Sequence, residues 1–100
     1  MAIESLSQDR VIYQEKAKAE LDKLNAKITE LRAKAAQAHA DARIEYQNRL
    51  EELSVKQRTT EQKLSDLRSS SEDAWNDIQR GFENAWNELK VAVDSASRKF

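Results

Sequence analysis

The near absence of helix-breaking residues constrains this chain more than any other feature of its sequence. Its 100 residues include no proline, and Gly81 is the only glycine. Because these two residue types mark most turns and helix ends, their scarcity predicts long helices. Strong helix formers such as alanine, glutamate, lysine and leucine dominate the first two thirds of the chain. We therefore expect an all-α protein of one domain at most.

The supply of large apolar side chains limits the core that these helices can form. Hydrophobic residues make up 39% of the chain, but 14 of them are alanine and only 20 are leucine, isoleucine, valine or phenylalanine. Such a set suits a narrow seam between helices better than a globular centre. The 17 basic and 18 acidic residues nearly balance, which argues against nucleic-acid binding.

The sequence contains no recognisable targeting segment or membrane span. Residues 1–16 lack the basic start and the apolar centre of a signal peptide. No apolar run approaches the roughly 18 residues that a membrane span needs. We therefore expect a cytoplasmic protein.

Residues 1–68 are predicted to form one long coiled-coil helix. Apolar residues recur there in alternating steps of three and four, the heptad pattern of a left-handed coiled coil. After Ala42 the seam resumes one residue late, which is a stutter in the heptad. Gln57 and Thr60 fall on seam positions, where they either fix the register or mark a looser stretch. The large seam residues are Leu21, Leu24, Ile28, Leu31, Tyr46, Leu50, Leu53, Leu64 and Leu67.

An eleven-residue repeat occupies the C-terminal part of the chain. "AWNDIQRGFEN" at 74–84 is followed by "AWNELKVAVDS" at 85–95. Eleven residues complete three helical turns, so equivalent side chains lie almost directly above one another. Residues 74–100 are therefore predicted to form a straight amphipathic helix with an aromatic stripe. Its large apolar residues are Trp75, Ile78, Phe82, Trp86, Leu89, Val93 and Phe100.

This stripe has three interpretations. It packs on the long helix or on a neighbouring chain, it lies on a lipid surface, or it binds an unrelated protein. Residues 72–100 contain six acidic and four basic residues, and this net negative charge disfavours a surface of anionic lipid. We therefore favour packing against the long helix or a second chain.

Residues 69–73 are predicted to interrupt the chain between the two helical segments. Ser70 or Ser71 can cap a new helix, with Glu72 and Asp73 in its first turn. A helical hairpin would result. The alternative is one unbroken rod, because the apolar steps keep their phase across these residues.

No constellation of residues predicts a catalytic, cofactor or metal site. His39 is the only histidine, and no cysteine is present to complete a zinc site. The serines at 69–71 have no histidine nearby in the sequence to activate a nucleophile. We therefore expect a protein that is not an enzyme and that binds no cofactor.

Two segments together are similar to a known group of proteins. They are residues 13–53, rich in lysine, alanine and glutamate, and residues 74–92, which contain the paired Ala-Trp-Asn motif. They resemble small bacterial coiled-coil proteins with tandem Ala-Trp-x-acid-aliphatic repeats, which are mostly uncharacterised and in part associated with stress. The resemblance implies a class of structural proteins and brings no catalytic residue with it.

We therefore expect a structural or interaction protein that self-associates into a homo-oligomer. The seam residues and the stripe residues named above are expected to carry this association. A separate protein partner is a further interpretation. The alternative is a protectant that binds a lipid or protein surface reversibly through residues 74–100.

Overall fold

A computed structural model of the chain describes residues 2–99, and the side chains of residues 9–99. It contains three helices: α1 (Ala2–Ala36), α2 (Ala40–Ser69) and α3 (Trp75–Lys99). The prediction of an all-α fold is confirmed. Phe100 of the predicted stripe lies outside the described residues. None of the described helices is long and apolar enough to cross a membrane.

The prediction of a single helix over residues 1–68 is wrong, because the chain turns at residues 37–39 and folds back as α2. The turn lies where Ala35, Ala38 and Ala42 form the seam. Alanine buries little apolar surface, so a straight continuation of the seam gains little there. Folding back instead buries the leucines of α2, such as Leu53 and Leu64, in one core with those of α1.

Local hydrogen bonds satisfy the backbone at this first turn. His39 has an extended backbone, with φ −63° and ψ 155°. The Arg43 guanidinium donates hydrogen bonds to the carbonyl oxygens of Ala36 and Ala38, at 3.5 and 3.0 Å. The last carbonyls of a helix have no partner within the helix, so the arginine supplies one from outside. The turn therefore forms without proline or glycine.

A second turn spans residues 70–74, so the chain is not one unbroken rod. The Ser70 backbone N–H and hydroxyl both donate to the carbonyl oxygen of Leu67, at 3.3 and 2.8 Å. The Ser71 hydroxyl accepts a hydrogen bond from the Ala74 N–H at 3.3 Å. Serine side chains thus satisfy backbone groups on both sides of the turn, as capping residues do.

The three helices run up, down and up along a bundle of 59 × 18 × 18 Å. Gln57 of α2 donates to Asn25 of α1 at 2.6 Å, while Arg32, further along α1, donates to Ser54, which precedes Gln57 in α2. These contacts make α1 and α2 antiparallel. Thr60 contacts Ala85, whereas Tyr46, earlier in α2, contacts Lys99, so α2 and α3 are also antiparallel. Helices α1 and α3 are therefore parallel.

Two polar seam residues form hydrogen bonds between helices. Thr60 is fully buried, and its hydroxyl lies 2.8 Å from the Lys56 carbonyl oxygen and 3.3 Å from that of Ala85 in α3. Gln57 forms the bond to α1 described above. The bond from Thr60 to Lys56 stays within α2 at any register, whereas the contacts of Thr60 with Ala85 and of Gln57 with Asn25 form only at this register. This favours the interpretation that Gln57 and Thr60 fix the register.

A candidate interaction groove between α1 and α3

The structure places most of the predicted association residues in the core of a single chain. Trp75, Ile78, Trp86, Leu24 and Leu50 lie partly buried at the edges of this core. Tyr46 is also partly buried and donates to the Lys99 carbonyl oxygen at 3.1 Å. Residues that are already covered cannot form an interface with a second chain unless the bundle opens. The fully covered residues are Leu21, Ile28, Leu31, Leu53, Leu64, Leu67, Phe82, Leu89 and Val93.

Helices α1 and α3 form the least extensive contact of the three helix pairs, and an open groove runs between them. Two cavities of about 450 and 550 Å³ make up this α1–α3 groove. Tyr13 lines both cavities, so they adjoin. The first is also lined by Lys16, Ala17, Glu20, Phe82, Glu83, Trp86 and Asn87. The second is also lined by Asp9, Arg10, Glu72, Trp75, Asn76 and Gln79.

A row of four aromatic rings forms the floor of the groove. Tyr13 meets Trp75 edge-on at 5.8 Å between ring centroids, and it meets Phe82 edge-on at 6.3 Å. Phe82 in turn stacks on Trp86 at 6.5 Å, with 22° between the ring planes. Each such pair contributes about 0.5–1.5 kcal/mol beyond the burial of its area. The row therefore joins α1 to α3, with Tyr13, Trp75 and Trp86 partly exposed and Phe82 buried.

Arg10 closes one end of the aromatic row. Its guanidinium lies 4.5 Å from the centroid of the Trp75 ring. The same group donates hydrogen bonds to the carbonyl oxygen and the hydroxyl of Ser70, at 2.8 and 3.1 Å. A cation over an indole ring is attracted by the negative face of the ring. Arg10 thus ties α1 to the turn between α2 and α3.

The Tyr13 hydroxyl connects the floor of the groove to its charged rim, because it donates a hydrogen bond to Glu83 Oε1 at 3.0 Å. Burial, the hydrogen bond to Glu83 and the negative charge of Glu83 together raise the pKa of Tyr13 to about 12. A side-chain hydrogen bond with Gln79 lowers the pKa of Tyr13. The fold therefore favours the neutral phenol. This stabilisation is present below the ordinary pKa of about 10 and is lost as the pH rises through about 12.

We predict that Glu83→Gln lowers the pKa of Tyr13 from about 12 towards 10, because it removes the carboxylate that disfavours tyrosinate. The measurement is a titration of tyrosinate absorbance in a Tyr46→Phe background, where Tyr13 is the only tyrosine. Circular dichroism at each pH checks that the chain stays helical. An identical titration with and without Glu83 would contradict the contact between Tyr13 and Glu83.

The groove offers surface for binding. No group of three or more histidine, aspartate or glutamate side chains in the described part of the chain could hold a metal ion. His39 lies exposed at the α1–α2 turn. It is at the opposite end of the bundle from the Ser70 turn, because α1 and α2 are antiparallel. The chemistry available in the groove is therefore apolar contact, hydrogen bonding and charge.

Sequence reasoning did not identify several residues of the groove. Tyr13 stands four residues before Ala17, so the helical spacing of the seam could have included it. Arg10 and Glu83 carry no such signal. Each is one charged residue among many on a helix surface, and only the fold brings each of them to an aromatic ring from about 60–70 residues away in the chain.

No protein-family model, curated protein or solved structure matches this chain.

Proposed function

We propose that the protein is a non-enzymatic interaction protein that self-associates through the α1–α3 groove. The observation that carries this proposal is that Tyr13, Trp75 and Trp86 lie partly buried along the helix pair with the least extensive contact. Trp75 and Trp86 keep part of their surface in solvent although each packs on the core. Tryptophan and tyrosine are enriched in protein interfaces, where they dominate the binding energy.

The other exposed apolar residues support this choice of surface. Ile44 lies near the α1–α2 turn, and Val55 lies on the outer side of α2. Val91 is 67% exposed on the outer side of α3, and Val11 and Ile12 lie near the start of α1. Apolar residues that are exposed singly or in pairs are normal on a protein surface and need no partner. The groove instead gathers three partly exposed aromatic rings, those of Tyr13, Trp75 and Trp86, around the buried ring of Phe82.

In this proposal the charged outer faces of the bundle are the surfaces that a self-associated form presents to other molecules. The protein then acts as a small scaffold. A cytoplasmic location, a coiled-coil mode of association and a link to stress responses stay predictions from the sequence and the resemblance.

We predict that Trp86→Asp abolishes self-association, because the carboxylate would lose its hydration inside an apolar contact. Light scattering over a range of concentrations measures the solution mass. The native chain is expected to gain mass reversibly with concentration, whereas the variant stays at the monomer mass. Val91→Asp is the matched control on the opposite side of the same helix and is expected to associate normally.

Circular dichroism must show that the Trp86 variant keeps its helicity. If it does not, Trp86→Gln, which adds no charge, replaces it in the same measurement. A native chain that stays monomeric at every concentration would contradict the proposal, as would unchanged association of both folded Trp86 variants.

Reversible binding of a lipid surface is the second candidate, and the pronounced apolar face of α3 is the observation that favours it. That face is covered in the bundle, since Phe82, Leu89 and Val93 are buried. Lipid binding therefore requires α3 to leave the core. Circular dichroism and tryptophan fluorescence with neutral and anionic vesicles separate the two candidates. Association through the groove predicts no change with vesicles, whereas opening of α3 predicts a shift of the tryptophan emission.

A further inference from the structure

The contacts across the groove give the level of each α1 residue relative to α3. Tyr13 lies beside Phe82, and Glu20 and Asn87 line the same cavity. Tyr13 also contacts Trp75 and Glu83, so each position of α1 is level with an α3 position about 62–70 residues later in the chain. Because the helices are parallel, the same offset applies along the whole groove.

The groove-side edge of α1 carries charges of alternating sign. Asp9, Lys16 and Glu20 line the groove, and Lys27 continues the same side of the helix beyond them. At about 100° per residue their side chains fall within a band of roughly 40°. When the edge is reversed about residue 18, Asp9 comes opposite Lys27, and Lys16 comes opposite Glu20. The α1 edge is therefore complementary to its own reversed copy.

The groove-side edge of α3 is also largely complementary in charge to its own reversed copy. Here the edge is reversed about a point between Trp86 and Asn87. Glu83 and Lys90 lie at equal distances from this point, as do Gln79 and Asp94. All four fall within a band of roughly 60° on the side of α3 that faces the groove. Reversal therefore places each Glu83 opposite a Lys90, and each Asp94 opposite the neutral Gln79.

The two points of reversal lie at the same level of the bundle. Residue 18 of α1 and the point between residues 86 and 87 of α3 are separated by about 68 residues, which lies within the range of offsets that the groove contacts define. A single two-fold axis, perpendicular to the length of the bundle at this level, places both edges opposite their own reversed copies. Two independent charge patterns thus agree on a single symmetry operation.

We infer that the partner in the groove is a second copy of this chain, which packs antiparallel about this axis. Helix α1 then lies against α1 of the second copy, and α3 lies against α3. The two Trp86 side chains meet beside the axis. This inference rests on the proposed self-association and adds its orientation and its charge pairs.

A parallel pair about an axis along the bundle is less complementary in charge. That operation places α1 against α3 of the second copy at the same level. Asp9 then faces Asn76, and Glu20 faces Asn87, because these residues are already level in one chain. Neither of these two carboxylates gains a cation, although Lys16 and Lys27 come opposite Glu83 and Asp94 at the same offset. The antiparallel pair leaves only Asp94 of the four carboxylates without a cation, so the charge pattern favours the antiparallel pair.

The size of the contact predicts a reversible dimer. The stretch from residue 9 to residue 27 is about 27 Å long at 1.5 Å per residue, and the bundle is 18 Å wide. The face therefore covers roughly 500 Å² on each copy, at the lower limit for a specific interface. Glu20 and Lys27 already pair with Lys23 and Glu30 in their own helix, at 3.5 and 3.7 Å. These pairs are exposed and weak, so they can be exchanged for pairs across the dimer.

Charge reversal on α1 tests the orientation at low salt. In the antiparallel pair, residue 16 of each copy lies opposite residue 20 of the other copy. Lys16→Glu alone, or Glu20→Lys alone, therefore creates two contacts between like charges. Each variant is expected to weaken self-association on the order of tenfold. An equimolar mixture of the two variants restores opposite charges at both places and is expected to associate as the native chain does. Glu51→Lys, on the outer side of α2, is the control and should change nothing.

Thiol cross-linking tests the same orientation on α3, and the chain contains no cysteine of its own. A mixture of Glu83→Cys and Lys90→Cys chains is expected to form a disulfide-linked heterodimer on mild oxidation. Either variant alone should not cross-link, because its two thiols lie seven residues apart along the pair, about 10 Å.

The outcomes separate the orientation from the function. If the native chain dimerises but the charge variants act independently and the mixed thiols do not link, the antiparallel pair is overturned and the proposed function stands. If the native chain never dimerises, both fail. Restored association and a mixed disulfide together support the antiparallel pair.

Discussion

Leu89→Ala is expected to lower the free energy of unfolding by about 2–5 kcal/mol. Leu89 is fully buried in α3, in the core shared by the three helices. Truncation loses the transfer free energy of the side chain and leaves a cavity that the bundle fills only in part. Because domains of this size are stable by only about 5–15 kcal/mol, the loss is a large fraction of the total. Urea unfolding followed by circular dichroism measures it.

Val91→Ala is the matched control, since Val91 lies in the same helix with 67% of its surface exposed. Its effect is expected to stay within about 0.5 kcal/mol, as for most surface substitutions. Similar losses at both positions would mean that α3 does not bury the face described above.

Phe82→Ala is expected to cost about 3–5 kcal/mol. Phe82 is 3% exposed, and its ring packs against both Tyr13 and Trp86. Removal of this ring leaves a cavity in the core and also takes the central support from the aromatic floor of the groove. Denaturant unfolding followed by tryptophan fluorescence measures the stability, and light scattering then measures the association of the folded variant.

Phe82→Leu separates packing from ring-specific contacts. It keeps most of the buried volume, so its cost is expected to stay below about 1.5 kcal/mol. A variant that weakens association and leaves stability unchanged would place Phe82 at the surface of the groove, which would contradict its burial in the core.

The apolar face of α3 could be predicted from sequence because it depends on local geometry alone. An eleven-residue repeat returns to the same side of a helix whatever the helix packs against. Phe82, Leu89 and Val93 accordingly form a covered face. The seam leucines of α1 and α2 could be predicted for the same reason, since apolar periodicity identifies the buried side.

The turn at residues 37–39 could not be predicted in this way. It contains no proline or glycine, and alanine on both sides favours a helix. The chain leaves the helix there because folding back buries Leu53, Leu64 and Leu67 in a shared core. The gain depends on pairing residues far apart in the chain, which local propensity does not describe.

The sequence by itself determined that the chain is helical and which side of each segment must leave water. Only the tertiary structure decided what covers those sides. Periodicity describes a direction around one helix axis and carries no information about which helix lies there. A neighbouring chain and the same chain folded back bury the same leucines equally well. The short turn at 37–39 makes the second solution available within one molecule, and this leaves the open α1–α3 groove, with Tyr13 and Trp86, as the surface for a partner.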